Sequence, residues 1–510
     1  MGTLSSLTGG SSGGGGGDPS GKFQASATVA NGDLVVLNDN GTVAPVTSVS
    51  NTRAVDQTFD PLTSENVDVS SSRQALTSLF YTSTQSNKPW LYLYQKRSAG
   101  RLYYAQSNAP SSNHDFSFQS IAYNNSDEFA AAQDPNDSGR VAVAFKTSND
   151  VYLVTYYHDG TDWLKTNPRH MSSSGSWGSS GLYVGFNDDG TIAVFGTSSN
   201  DLGHGHANYA GGSSTSPTRN IAMASNKLNN STMGFVIDYC QGVHLGGSRH
   251  LIVFRDQSST AKLFGMIVTS SSTGATFHTP PTELIDNQST DQVSLAYDKV
   301  NNIGVIAHKD QEIGFRANTD NTITKVSLSH DITKNTGDGY YRVKYNPITK
   351  RFIYFETRGN VSTFALATDG TVSDLDQFYH TTFPSGTYTS TYDGVYISEQ
   401  TQFAREFLIF ISQNSTVGLT SDRAYLTSYS PAYVDTNIDN HFGEAKEAIA
   451  SGAAGSVGIL NRTKDILGSS FQKGQKLFAN PSGTALATSG TYRVGHATDG
   501  DTVLVLGDPS

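Results

Sequence analysis

Cysteine is almost absent from this 510-residue chain. Cys240 stands alone, so no internal disulfide can form and stability must come from packing. Charge is sparse as well, at 15% of residues, and 34 basic against 45 acidic groups leave a formal net charge of -11. That balance lacks the basic face a nucleic-acid footprint requires, so no nucleic-acid partner is expected. No apolar run approaches the roughly 20 residues of a membrane-spanning helix, which argues against membrane insertion. The stretch Met1-Gly2-Thr3-Leu4-Ser5-Ser6-Leu7 has neither the basic nor the apolar region of a signal peptide. Synthesis and assembly in a cytoplasm are therefore expected.

Motifs of familiar chemistry are missing too. The sequence has no Gly-x-Ser-x-Gly, no phosphate-binding Walker loop and no zinc-finger spacing. Glycosidase work needs two carboxylates at a set separation, and Asp134, Asp188, Asp238, Asp298 and Glu356 are available. Their position in repeated turns marks them first as turn-formers, whose side chains cap the turn by hydrogen bonds. Asn187-Asp188-Asp189-Gly190-Thr191-Ile192 faintly resembles the Asp-box turn of sialidases, but it lacks the Trp and occurs once. Cys240 closes the strand-like Val236-Ile237-Asp238-Tyr239-Cys240 and reads as a small buried hydrophobe. The expectation is a protein that is not an enzyme and needs no cofactor.

What is present is the material of strands and turns: 50 Gly, 25 Tyr and 25 Phe. An apolar run, a short Asp/Asn/Pro-Gly turn and a second apolar run keep returning. One copy is Ala130-Ala131-Ala132-Gln133-Asp134-Pro135 followed by Arg140-Val141-Ala142-Val143-Ala144-Phe145. Others are Tyr183 to Phe195, Val293 to Ala307 and Arg342 to Phe355. Units begin near Leu76, Asp127, Gly181, Thr232, Asp291, Gly339 and Thr391, roughly 50 residues apart. That period, with several short strands per unit, predicts a β-propeller of about seven blades over residues 56–433. Stacked blades bury each other's faces, and closing the ring removes the two unburied ends.

The flanks differ. Residues 1–22 hold a Gly/Ser-rich arm, a flexible coil that orders only against a partner. Strand-formers around Asn40-Gly41 predict a hairpin, and Pro45 places its second strand at a sheet edge. Beyond Tyr433, Glu444 to Ala450 fits one helical turn or a strand, and three further strand patterns follow up to Leu506. The short hairpin is too small to stand alone. Residues 23–55 and 434–510 are thus predicted to form one split β-sandwich or barrel module with the propeller inserted between them.

Three sets of candidate site residues emerge. Trp163, beside Asp159-Gly160-Thr161-Asp162, is the aromatic expected to be exposed. With Tyr156 and Tyr157 it forms a candidate glycan-binding set, while most other aromatics belong between blades. Gly203-His204-Gly205-His206 is the one metal-like sequence; imidazoles at this spacing face the same side of a strand. With no complete ligand set visible, His204 and His206 are expected in a solvated loop, and His244 and His250 likewise flank a Gly246-Gly247 loop. Gly13, Gly14, Gly15, Asp18 and Pro19 of the arm are the candidate docking residues.

Phe23-Gln24-Ala25-Ser26 and Asn31 to Val43 together resemble the opening of β-modules in phage virion proteins. Glu447 to Val457, followed by Lys473-Gly474-Gln475-Lys476-Leu477-Phe478, is similar to their closing half. The resemblance covers about a fifth of the chain. It implies a virion structural protein, assembled in the host cytoplasm, that docks to other virion proteins of tail or capsid. A tail fibre or tail-associated appendage displaying a propeller to host-surface glycan is the leading expectation. Alternatives are a capsid decoration or head-fibre protein, and a propeller glycosidase or lyase acting on host polysaccharide. Fibres that the chain resembles are usually trimeric, which implies either a homo-oligomer or, equally consistent with the sequence, a propeller monomer hung from a symmetric ring. In trimeric fibres His-x-His motifs such as His204 and His206 can share one iron.

Overall fold

In a computed structural model of the chain, the paired apolar runs are the strands of antiparallel meanders. The structure describes residues 20–31, 34–37, 43–45, 48–51, 54–55, 60–61, 77–96, 101–108, 126–147, 150–171, 177–198, 201–210, 218–220, 227–228, 236–256, 262–278, 280–286, 293–308, 311–330, 332, 341–356, 360–379, 394–397, 403, 405–411, 424–431, 433–436, 441–445, 447–459, 476–479, 486–487, 492–499 and 502–504. Among the described residues there is no helix. The chain divides into two units: Met1–Thr52, Ala367–Asp369 and Ala432–Ser510 make one, and Arg53–Leu366 with Gly370–Pro431 the other.

The larger unit is a β-propeller. Among the described residues, six complete blades of four or five strands occupy 126–170, 177–228, 237–285, 293–326, 341–379 and 394–430, and a three-stranded meander at 77–107 precedes them. The first blade is typical: Ser126–Gln133 pairs with Arg140–Thr147, which pairs with Asp150–His158, which pairs with Trp163–Lys165. Its register sets Ala130 opposite Ala144 and Val143 opposite Val154, as the two apolar runs demand. The sixth blade takes its outer strand from far upstream. Ala54–Val55 pair with Tyr429 and Ser430, and Asp60–Pro61 pair with Leu426 and Tyr425. Residues 54–55, expected in the terminal module, thus complete a blade instead.

Second strands are covered on both faces, so period-two alternation disappears. Every residue of Ile303–His308 and of Arg351–Glu356 is buried. The core lies between blades. Ala142 and Leu153 pack with Val184, Phe186 and Val194 of the next blade, and Phe195 and Leu202 pack with Ile252 and Phe254 of the one after. Val253 and Ile267 meet Ile306 and Phe315, and Val305 and Ala307 meet Val343 and Tyr354. Between the last two blades, Thr363 Oγ1 lies 3.2 Å from the Tyr429 hydroxyl and Asn346 Nδ2 donates to Phe403 O at 2.9 Å. The meander joins this circuit at both ends. Its Leu79, Tyr92 and Tyr94 pack with Phe407, Ile409 and Leu426, while Phe80, Leu91 and Leu93 pack with Phe129 and Val141.

One glycine is required by this packing. Gly181 has φ +90°, and a Cβ there would lie 2.1 Å from the Cys240 backbone nitrogen of the neighbouring blade. Only glycine allows both the left-handed backbone and the close approach.

The smaller unit is built from both ends of the chain. Its five-stranded antiparallel sheet runs in the order Ser20–Gln24, Ala454–Ile459, His441–Ala445, Leu34–Leu37, Val43–Pro45. Phe23 sits opposite Gly455, and Leu34 opposite Glu444. Ala25, Val29, Val35, Val43, Ala445, Ile449 and Val457 form its core. Pro45 lies on the edge strand, where a missing N–H costs no ladder bond. The Asn40-Gly41 turn lies outside the described residues. Ser20 to Lys22, expected in the arm, belong to a strand. A four-stranded sheet at 476–504 and a two-stranded pairing of Ser48–Asn51 with Tyr433–Thr436 complete the unit.

Candidate functional site at the channel mouth

In four of the six complete blades among the described residues, a buried Asx residue ends or directly follows the first strand. Asp134 accepts from the Asn136 backbone N–H at 2.9 Å, Asp298 from Val300 at 2.9 Å and Asn346 from Ile348 at 2.8 Å. Asn187 holds the same place but points across the seam, accepting from His250 Nε2 at 2.8 Å and donating through Nδ2 to Ser270 O at 3.2 Å. Burial raises the Asp134 and Asp298 carboxyls above their ordinary range, against the hydrogen bonds that lower them. These carboxylates are occupied by their turns, which fits their reading as turn-formers.

First strands line a central cavity of about 630 Å³, reached by side chains from Ser78, Gln133, Gln241, Arg342, Lys344 and Ile397 among others. At the turn end of this channel, hydrogen bonds link successive blades. Asn136 Nδ2 donates to Asp188 O at 2.6 Å, and the Asp188 N–H donates to Gly247 O at 2.8 Å. The Gly247 N–H donates back to the Asp188 carboxylate. His244, on the first strand of the third blade, then meets Lys299 of the fourth: Lys299 Nζ lies 2.9 Å from His244 Nδ1. His244 Nε2 is 3.2 Å from Gly247 O and 3.7 Å from Asp188 Oδ1. We assign Nε2–H as donor and Nδ1 as acceptor, the neutral tautomer that satisfies both neighbours. Burial, with the Lys299 charge adding, pushes His244 down to about 4. Burial also lowers the Lys299 ammonium, while Asp188, 3.9 Å from Nζ, opposes that shift. An Asp–His–Lys group drawn from three consecutive blades thus stands at the cavity rim.

A second histidine cluster lies in the seam between the second and third blades. His204 and His206 are on the strand Asp201–Ala210, not in a loop, and their rings stack at 5.8 Å. His204 Nε2 is 3.0 Å from Ser270 Oγ, and the Tyr183 hydroxyl is 3.0 Å from His250 Nδ1. Burial, with His206 adding, pushes His204 down to about 3, and burial holds His250 well below the ordinary imidazole range. Glycines at 203 and 205 read as loop residues in the sequence, yet both lie on a strand, and a Cβ at Gly205 would come 2.8 Å from Met171 Cε. Among the described residues no group of three His, Cys, Asp or Glu side chains could hold a metal. His244 and His250, expected in a loop, are also on strands.

The aromatic set is corrected. Trp163 is 1% exposed and Tyr156 0%, and both belong to the core between the meander and the first blade. Trp163 lies edge-on to His158 at 5.3 Å, and Tyr156 edge-on to Tyr104 at 5.1 Å. Strand side chains alternate, so Leu164 is the one turned outward, at 38% exposure. Tyr157 is half-buried. Trp163 and Tyr156 therefore offer no face to a sugar. Gly13, Gly14, Gly15, Asp18 and Pro19 lie outside the described residues. Sequence reasoning missed Lys299, Gln241, Arg342 and Lys344; for Lys299, Arg342 and Lys344 the available signal was their place on or just after a repeated first strand ending in Asx, a signal the strand of Gln241 lacks.

No family model matches the sequence, and no curated protein matches it. Solved structures do resemble the fold. A protein from Lactobacillus plantarum matches at 9% identity over 75% of this chain and 99% of its own, with a TM-score of 0.39. A catalytically inactive variant of virginiamycin B lyase from Staphylococcus aureus matches at 9% identity over 74% and 99%, with a TM-score of 0.37. The Dos1 propeller matches at 9% identity over 81% and 95%, with a TM-score of 0.39. Each is a likeness of fold alone.

Proposed function

We propose that this chain is a non-enzymatic phage virion protein, a tail fibre or tail-associated appendage. In this reading its terminal module docks to other virion proteins and its propeller binds host-surface glycan at the channel mouth. The observation that carries the reading is the five-stranded sheet woven from both chain ends, with the propeller inserted in sequence between its halves. Such an insertion makes the binding body a separable element of a mounting module. We count the meander at 77–107 as an incomplete seventh blade, because Ser78 and Ile397 line the same channel as the other first strands. The 476–504 sheet would complete a small sandwich with the five-stranded one. Mass spectrometry of purified particles tests the reading: the protein should be present at a fixed copy number, and its absence would sink it. Imaging of particles lacking residues 1–21 would separate a tail from a capsid-decoration location. Depolymerisation of host glycan by the purified protein would replace the reading with a propeller glycosidase or lyase.

A further inference from the structure

We propose that the seam between the second and third blades is an acid-opened joint: protonation of its four histidines parts these two blades locally while other seams stay closed. The inference concerns the ring itself and does not depend on what binds at the channel mouth.

The joint rests on a cluster of side chains at an interface. His204 and His206 come from the second blade, His244 and His250 from the third. The rings of His244 and His250 lie 5.1 Å apart and those of His204 and His206 5.8 Å. The Phe195 ring lies between the two pairs, 4.8 Å from His204 and 5.9 Å from His250. The fifth and sixth blades, 341–379 and 394–430, contain no histidine at all.

Three of these imidazoles are held in surroundings that suit only the neutral ring. The Asn187 amide donates to Ser270 O, so its Oδ1 accepts from His250 Nε2–H, and His250 Nδ1 is left to accept from the Tyr183 hydroxyl. A proton on Nδ1 would take that acceptor away. His244 Nδ1 accepts from the Lys299 ammonium, so a proton there would set N–H against N–H. His204 Nδ1 is buried with no hydrogen-bond partner among the described residues, so an imidazolium there would hold an unmet donor.

Counter-charge is scarce. The ionisable groups that face the histidines are Tyr183 and the Asp188 carboxylate from the second blade and the Lys299 ammonium from the fourth. The Cys240 thiol of the third blade is turned to Gly181 O at 3.6 Å. One carboxylate, already beside Lys299, cannot balance four buried imidazolium ions that repel one another. Burial lowers all four from about 6.5 in water, to about 4 for His244 and about 3 for His204. The closed seam is thus fully favoured above about pH 6.5 and loses ground as pH falls toward those values. Each histidine shifts the balance by up to about tenfold per pH unit. Burial raises the Asp298 carboxyl of the fourth blade, so acid steadies that turn instead. Parting the second and third blades would break the reciprocal Asp188–Gly247 bonds, so acid would also dismantle the channel mouth.

Cys240 gives the readout, being the chain's one cysteine and buried in this seam. Its labelling by dithiodipyridine is timed at about pH 7 and about pH 4.5, on either side of the ordinary imidazole range. Each rate is divided by that of the urea-unfolded chain at the same pH. Protection should fall about tenfold or more on acidification. Amide hydrogen exchange, corrected for its intrinsic rate, should stay protected over Arg351–Glu356. His204→Gln should retain several-fold more Cys240 protection in acid than wild type, and a His204→Gln/His244→Gln double variant more still. His170→Gln, at an exposed histidine paired with Asp150, should follow wild type. Thermal melts at neutral pH establish that each variant folds. Unchanged Cys240 protection in acid, equal loss over Arg351–Glu356, or a wild-type acid response in both folded variants would overturn the proposal.

Discussion

Burying His204, His206 and His250 in one seam makes the propeller acid-sensitive through individual side chains. Each has a folded pKa below its unfolded value near 6.5, so the unfolded chain binds more protons in that window. Stability should be full above about pH 6.5 and fall with decreasing pH toward about 3, where His204 titrates in the fold. Each histidine contributes a slope of at most about 1.4 kcal/mol per pH unit. Asp134 and Asp298 act in the opposite sense, since their raised carboxyls regain stability as they protonate. Chemical denaturation across that pH range should show a flatter profile for His204→Gln than for wild type; parallel profiles would contradict it. Trp163 gives a second residue-scale test. As a core side chain, Trp163→Ala should cost about 3–5 kcal/mol in unfolding free energy without a specific effect on sugar binding. Trp163→Phe should cost less, because the indole N–H has no hydrogen-bond partner among the described residues to lose.

Elements were legible where a local rule decides them and illegible where a neighbour does. The paired runs at Ala130 and Arg140 announced a hairpin, and Pro45 announced an edge strand, because turn chemistry and a missing donor act locally. The outer strand Ala54–Val55 gave no such signal, since two residues acquire strand geometry only from Tyr429 and Ser430 hundreds of positions away. Gly203-His204-Gly205-His206 looked like a loop because glycine punctuates turns, yet it packs as a covered strand. Trp163 looked exposed because a polar turn precedes it, and its burial depends on the next meander. Lys299 and His244 lie 55 positions apart, so no local pattern joins them. Gly181 is a tightly constrained point of the blade-to-blade contact. Gly181→Ala should destabilise the propeller by about 2 kcal/mol or more, from a forbidden φ and a clash with the Cys240 backbone, as read by denaturant titration. An unchanged midpoint would mean that the two blades are farther apart.

At the scale of the molecule, one ring of inward-facing strands both stabilises the propeller and forms a cavity, and the strand ends that close its turns also set the rim. The same construction explains why chemistry is hard to read from this sequence. Its most conspicuous aromatics and histidines are used for packing, whereas the rim group is assembled from ordinary residues on separate blades. The proposed role is tested most directly by competition: purified full-length protein is added to host cells, and adsorption of the phage that carries it is measured. Wild-type protein should block adsorption, increasingly as more is added. Adsorption untouched by the wild-type protein would contradict the account.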